Sequence, residues 1–189
     1  MAELSPKAQT HTITALVEDK PGVLARVAGL FSRRGFNISN LAVGHSESPG
    51  LSRMTFVVEG NEWVVEQVTK QLYKLIDVVR VTDLSGESIV VRELALVQVS
   101  SDATTRAEIM QIVDIFRANI VDVGKDSVTI EVTGNEEKVD ALLKLLQPFG
   151  IRETMRTGRI AMARGDTATD TRQTAPTMDH NAPDTEVVP

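Results

Sequence analysis

The chain has 189 residues, with 26 acidic against 20 basic side chains and a formal charge of −6. At 42% hydrophobic it has enough apolar material for a core in one domain or two small ones, and its acidic balance argues against nucleic acid as a partner. It has no cysteine, which excludes disulfides and thiolate chemistry, and it shows neither an apolar run of about 18 residues nor a basic-then-apolar start, so a soluble, cytoplasmic protein that does not span a membrane is expected.

From His11, the residues Ile13, Ala15 and Val17 alternate with Thr12, Thr14 and Leu16, a strand pattern. Pro21 is expected at the first position of a helix in which Val23, Leu24, Val27, Leu30 and Phe31 recur at helical spacing until Gly35. Phe36-Asn37-Ile38 then leads into a second strand that reaches Gly44. Ser48-Pro49-Gly50 has turn chemistry, and Met54 to Val58 reads as a third strand. Asn61 is placed to cap a helix bearing Val64, Val65, Val68, Leu72 and Leu75. Val78-Val79-Arg80-Val81 makes a fourth strand, so the order is βαββαβ.

The order recurs. Leu94 to Val99 is a strand, and Asp102 can cap a helix with Ile109, Ile112, Val113 and Phe116 inside. Asn119-Ile120 repeats Asn37-Ile38, and Gly134-Asn135-Glu136 repeats Gly60-Asn61-Glu62; the second spacing is the shorter, so its central hairpin is shorter too. Val128 to Val132, a helix with Leu142, Leu143, Leu145 and Leu146, and a last strand near Arg159-Ile160-Ala161-Met162 complete the copy. The reading is α+β: two tandem ferredoxin-like βαββαβ units. Their expected limits are an N-terminal extension (1–10), a first domain (11–86), a linker (87–92), a second domain (93–164) and a tail (165–189). Asp166, Asp170, Asp179, Asp184 and Glu186 against Arg172 make that tail acidic, and it lacks aromatic residues, so it is expected to be disordered. Units this small, with open sheet edges, are expected to self-associate.

No catalytic constellation emerges. His11, His45 and His180 lack metal-ligand spacing, Gly44-His45-Ser46-Glu47-Ser48 lacks the last glycine of a nucleophile elbow, and there is no phosphate-binding glycine motif. Glu62, Glu66, Lys70 and Lys74 form a charged helix stripe suited to solvent. One segment suits a ligand: Asp19-Lys20-Pro21-Gly22-Val23-Leu24 joins the first strand to the first helix. The free N–H groups and positive end of that helix can hold a carboxylate, and Gly22 permits close approach. Asp19 and Asn37 can pair with an ammonium group, while Val23, Leu24 and Ile38 would accept an aliphatic side chain. A zwitterion fits this set. The same residues also make an ordinary helix start, with Asp19 as a mere cap.

The Asp19-Lys20-Pro21-Gly22-Val23-Leu24 segment resembles the D-x-P-G-x-L signature of ACT domains, βαββαβ modules that bind amino acids. Gly29 to Ile38, Leu51-Ser52-Arg53-Met54-Thr55, Gln71 to Val78 and Arg92 to Val97 resemble the small regulatory subunits of acetolactate synthase, over about residues 11–164. The resemblance implies that the first unit is an ACT domain and that the chain has no active site of its own. It implies a partner, the thiamine-diphosphate-dependent catalytic (large) subunit, which this chain would activate and make sensitive to valine or another branched-chain amino acid. Thiamine diphosphate, Mg and FAD are expected in that subunit and no cofactor in this one. The effector is expected between the ACT domains of a homodimer, at Asp19, Gly22, Val23, Leu24, Asn37 and Ile38. The second repeat carries Ser101-Asp102-Ala103-Thr104 where the first has Lys20-Pro21-Gly22-Val23, so no second effector site is expected. Asp19 stands where the family often has Asn. The other reading is a stand-alone tandem-ACT sensor acting on a different partner.

Overall fold

The computed structural model describes residues 10–165. Strand β1 (Thr10–Glu18), helix α1 (Val23–Arg34), strands β2 (Ile38–His45) and β3 (Leu51–Glu59), helix α2 (Glu62–Leu72) and strand β4 (Val78–Asp83) form the first unit. Its sheet runs β2-β3-β1-β4, antiparallel throughout. Strand β5 (Ile89–Ser100), helix α3 (Arg106–Ile115), strands β6 (Asn119–Val123) and β7 (Ser127–Gly134), helix α4 (Glu136–Leu146) and strand β8 (Ile151–Arg156) repeat it in the order β6-β7-β5-β8. These are the two ferredoxin-like units expected. Asn61 and Asn135 cap α2 and α4 in the same way, each side-chain oxygen accepting an N–H three residues on at 3.1 Å, from Val64 and Lys138.

Three sequence expectations need correction. Residues 89–92 are not a linker but the first part of β5, a twelve-residue strand whose N-terminal end pairs with strand β9 (Ile160–Ala163) and whose remainder pairs with β7 and β8. The Arg159–Met162 region is therefore not the closing strand of the second unit. That strand is β8, whose Ile151-Arg152-Glu153-Thr154-Met155-Arg156 is exposed along an edge and shows no apolar alternation. Pro21 does not start α1 either: Pro21 and Gly22 occupy a turn, and the helix begins at Val23. The expected tail, apart from Gly165, and the expected N-terminal extension, apart from Thr10, lie outside the described residues, as does His180.

Each unit buries one sheet face under its own two helices. In the first, Ile13, Ala15 and Val17 of β1 and Met54, Phe56 and Val58 of β3 meet Val27 and Phe31 of α1 and Val68 and Leu72 of α2. Phe31 stacks on Phe56, with centroids 5.2 Å apart. In the second, Ala95, Val97, Val99 and Ile130 meet Ile109, Val113, Leu142 and Leu146. The opposite face of the first sheet is also covered. Thr12, Thr14 and Leu16 are buried there, beside Leu84 and Ala161. The corresponding face of the second sheet is open, with Leu96 39% and Met155 65% exposed.

Truncating a fully buried aromatic costs far more than breaking a surface ion pair. Phe56→Ala is expected to destabilise the fold by about 3–5 kcal/mol. Glu66→Ala, which removes the exposed Glu66–Lys70 pair on α2, is expected to cost less than about 1 kcal/mol. Urea denaturation midpoints of the two variants check the ranking.

Candidate functional site

Three loops meet at the end of β1 where Glu18 leaves the sheet. Glu18 N–H donates to the Asp77 carbonyl, and Asp19 N–H donates to the Gly50 carbonyl, both at 2.8 Å. Lys20-Pro21-Gly22-Val23 then turns back, closed by Val23 N–H on the Lys20 carbonyl at 3.3 Å. Gly22 sits third in this turn at φ 86, ψ −8, a left-handed geometry that side chains disfavour and that a type II turn requires there. Arg26 N–H takes the Gly22 carbonyl at 3.0 Å, which leaves the N–H groups of Leu24 and Ala25 without a backbone partner among the described residues. The helix thus presents two free donors beside a residue that lacks a side chain.

Side chains around this turn add charge. Arg26 Nε donates to Asp77 Oδ2 at 2.7 Å, and its Nη1 would lie 3.2 Å from any Cβ placed on Gly22. The hydrogen bond from Arg26, followed by its charge, holds the Asp77 carboxyl below the usual carboxylate range despite partial burial. Lys20 Nζ donates to Glu18 Oε2 at 2.7 Å, which raises the Lys20 pKa. Asp19 Oδ2 lies 3.2 Å from His45 Nδ1 at the end of β2. Val23 is buried in the core, whereas Leu24 is 46% exposed on the flank of α1.

Asn37 and Ile38 are elsewhere. Asn37 Nδ2 donates to Glu59 Oε2 at 3.2 Å, and Glu59 faces Thr10 at the start of β1. Asp19 follows Glu18, which faces Leu51 at the other end of that ladder. Eight steps of about 3.3 Å put roughly 25 Å between the two groups. One chain therefore brings Asp19, Gly22, Val23 and Leu24 together but does not add Asn37 and Ile38 to them. Sequence reasoning also missed Arg26, Asp77, His45 and Glu59. Asp77 alone left a signal, as a lone acid between Leu75-Ile76 and Val78-Val79.

The second unit fills the matching position with its own carboxylate. Asp102 accepts from the N–H groups of Thr104 and Thr105, both at 2.8 Å, and from their hydroxyls at 2.6 and 3.0 Å. These donors, the Thr104 hydroxyl foremost, hold its pKa far below the ordinary aspartate value. Asp102 is thus not the cap of α3, whose N-cap is Thr105, but fills the turn before it. The N–H groups of Ala107 and Glu108 in the first turn of α3 stay without a backbone partner among the described residues, as those of Leu24 and Ala25 do in α1. Among the described residues, no group of three or more His, Cys, Asp or Glu side chains could hold a metal ion, and no helix is long and apolar enough to cross a membrane.

Comparison with known proteins fits this layout. A family model described as "AHAS small subunit-like ACT domain" matches residues 13–80, and one described as "Small subunit of acetolactate synthase" matches residues 92–165. The chain is 57% identical over 166 residues to a probable acetolactate synthase small subunit of Methanothermobacter thermautotrophicus, covering 87% of this chain and 98% of that one. The chain belongs to the acetolactate synthase small-subunit family. The acetolactate synthase small subunit of Bacillus subtilis is 54% identical over 155 residues, covering 81% of this chain and 90% of its own length. The crystal structure of the acetolactate synthase small subunit from Thermotoga maritima superposes with a TM-score of 0.80 at 46% identity, over 84% of this chain and 99% of that one. Membership in this small-subunit family makes the chain a regulatory partner of a large catalytic subunit in branched-chain amino-acid biosynthesis.

The Arg26–Asp77 pair supplies a pH-dependent prediction. A carboxyl whose pKa is lowered on folding contributes stability above its unfolded pKa, and the contribution is lost as pH falls through the folded value. Asp77→Asn is therefore expected to be less stable than the parent at pH 7, with the gap closing as pH drops below about 3.9. Urea denaturation at pH 7, 4 and 3 measures it.

Proposed function

We propose that this small subunit binds valine or another branched-chain amino acid between the ACT units of two copies, and that this binding controls the catalytic subunit, which it otherwise activates. Strand β2 is one of the two edge strands of the first sheet. Antiparallel pairing of two β2 edges sets Ile38 of one copy near His45 of the other. Asp19 lies beside His45, so Asn37 and Ile38 of the partner subunit would arrive at the Asp19–Leu24 turn. The separation within one chain, roughly 25 Å by strand rise, is what a two-copy site requires. Val43 on this edge and Leu24 on the flank of α1, 48% and 46% exposed, offer apolar contact to the partner and to an aliphatic ligand.

The observation that carries the reading is the Gly22 turn with the free N–H groups of Leu24 and Ala25 beside Arg26. An α-carboxylate there would gain two backbone donors and the helix dipole, with the Arg26 guanidinium, whose charge Asp77 largely offsets, alongside. The ammonium would face the carboxylate of Asp19 and the amide of Asn37. Asp19 already has His45 for company, so an incoming ammonium competes with an imidazole rather than meeting a bare charge. We assign thiamine diphosphate, Mg and FAD to the catalytic subunit, and the complex to the cytoplasm.

Reconstitution with the catalytic subunit tests this directly. Acetolactate formation from pyruvate should rise on adding this chain and fall again with valine, leucine or isoleucine. Gly22→Asp, which puts a strained carboxylate in the ligand's place, should keep the activation and lose the inhibition. Full inhibition of that variant would refute the assigned site, and a wild-type chain that leaves the catalytic subunit unaffected would favour the stand-alone sensor. Val43→Lys, a charge on the β2 edge, should shift the isolated chain from dimer to monomer in light scattering.

A further inference from the structure

The two units meet at the turn between β8 and β9, Thr157-Gly158-Arg159. Gly158 has φ 81, and a methyl group added there would lie 2.8 Å from Asn40 Oδ1 and 2.9 Å from its Cγ. The left-handed φ favours glycine here, and an added side chain would also have to displace the Asn40 amide. Asn40 Oδ1 is buried without a hydrogen-bond partner among the described residues, an arrangement that survives only where the packing around it is fixed. The next residue, Arg159, spans both units: Nη1 donates to Thr12 Oγ1 at 3.2 Å on the covered face of the first sheet, and Nη2 to Glu136 Oε2 at 2.7 Å in the first turn of α4. Nearby, Arg156 joins Asp140 of α4 at 2.7 Å and the buried Glu93 of β5.

Asn40 reaches that turn because β2 has a bulge. The register against β3 passes from Ile38 opposite Val58 to Asn40 opposite Val57, leaving Ser39 extra, with its hydroxyl donating to the Val57 carbonyl at 3.2 Å. Without the bulge, residues 38 and 40 would share a face. With it, Ile38 packs on the helix-side core, while Asn40 turns to the other face and meets Gly158. A short stretch of edge strand thus touches the proposed effector site on one side and the second unit on the other.

We infer that the Asn40–Gly158 contact, with the Arg159 bridge behind it, carries effector occupancy from β2 to the second unit, so that these are positioning residues for the inhibition and not ligand contacts. The inference rests on the proposed effector site. A ligand that favours one arrangement of β2 biases the position of Asn40, and through Gly158 and Arg159 that of α4.

Valine binding to the chain, measured by calorimetry, and valine inhibition of the reconstituted holoenzyme should separate in Gly158→Ala. Binding should stay within about twofold of the parent, while the valine concentration for half-inhibition rises about tenfold or more, within the usual range of allosteric coupling. Asn40→Ala, which removes the contact without straining the turn, should show the same split and carries the test if Gly158→Ala does not fold. Inhibition unchanged in Asn40→Ala, or in a folded Gly158→Ala, overturns the coupling and leaves the site intact. Binding and inhibition lost in parallel also overturn it, because the residues would then belong to the site. Absence of valine, leucine and isoleucine binding to the parent chain overturns the effector site, and the coupling with it.

Discussion

Seven consecutive residues of β1, His11 to Val17, are buried, so the central strand of the first sheet needs cover on both faces. Helices α1 and α2 supply one cover through Ile13, Ala15 and Val17. The other comes from the chain that follows the first unit, through Leu84, Ala161 and the Arg159 side chain over Thr12. Full burial of one large aliphatic side chain is worth about 1.5–3 kcal/mol, well above what any exposed ion pair here offers. Apolar cover therefore decides how the two units sit, and the Arg159 and Arg156 pairs adjust the fit.

That arrangement makes the two repeats unequal. In the first, the sheet is enclosed and the turn into its first helix is bare at Gly22. In the second, the sheet is open on one face and the turn is closed by Asp102. The Asp102 carboxylate with its four donors places a negative charge in that turn, where the first unit has the bare Gly22. The same fold carries a bare glycine turn once and a carboxylate-filled turn once, through a difference of a few residues before a helix.

Much of this was legible in the sequence where local chemistry decides the structure. The Asn61 cap, the helical recurrence of Val65, Val68 and Leu72, and the alternation through Ile13, Ala15 and Val17 each act over a few residues, and each appears as read. What escaped depends on distant partners. Strand β8 is an exposed edge whose Arg152, Glu153 and Arg156 hide any strand alternation. Strand β9 is recognisable as a strand, but nothing in Ile160-Ala161-Met162 says that it pairs with 89–92. The candidate site was half legible: Asp19 to Leu24 form one local turn, but the distance to Asn37 follows from sheet order. Arg26 and Asp77 are 51 residues apart, and only the fold makes them neighbours.

The twelve residues of β5 belong to both halves of the molecule, and this bears on any attempt to cut it in two. A boundary placed in the apparent linker would divide a continuous strand and strip β9 from its partner. The isolated first half would expose Thr12, Thr14, Leu16 and Val57 as a flat, uncovered sheet surface, the kind that draws other chains into aggregates. The segment that repeats in the sequence is thus smaller than the segment that can stand in water. A functional dissection of this subunit has to proceed by side-chain replacement within the intact chain rather than by truncation.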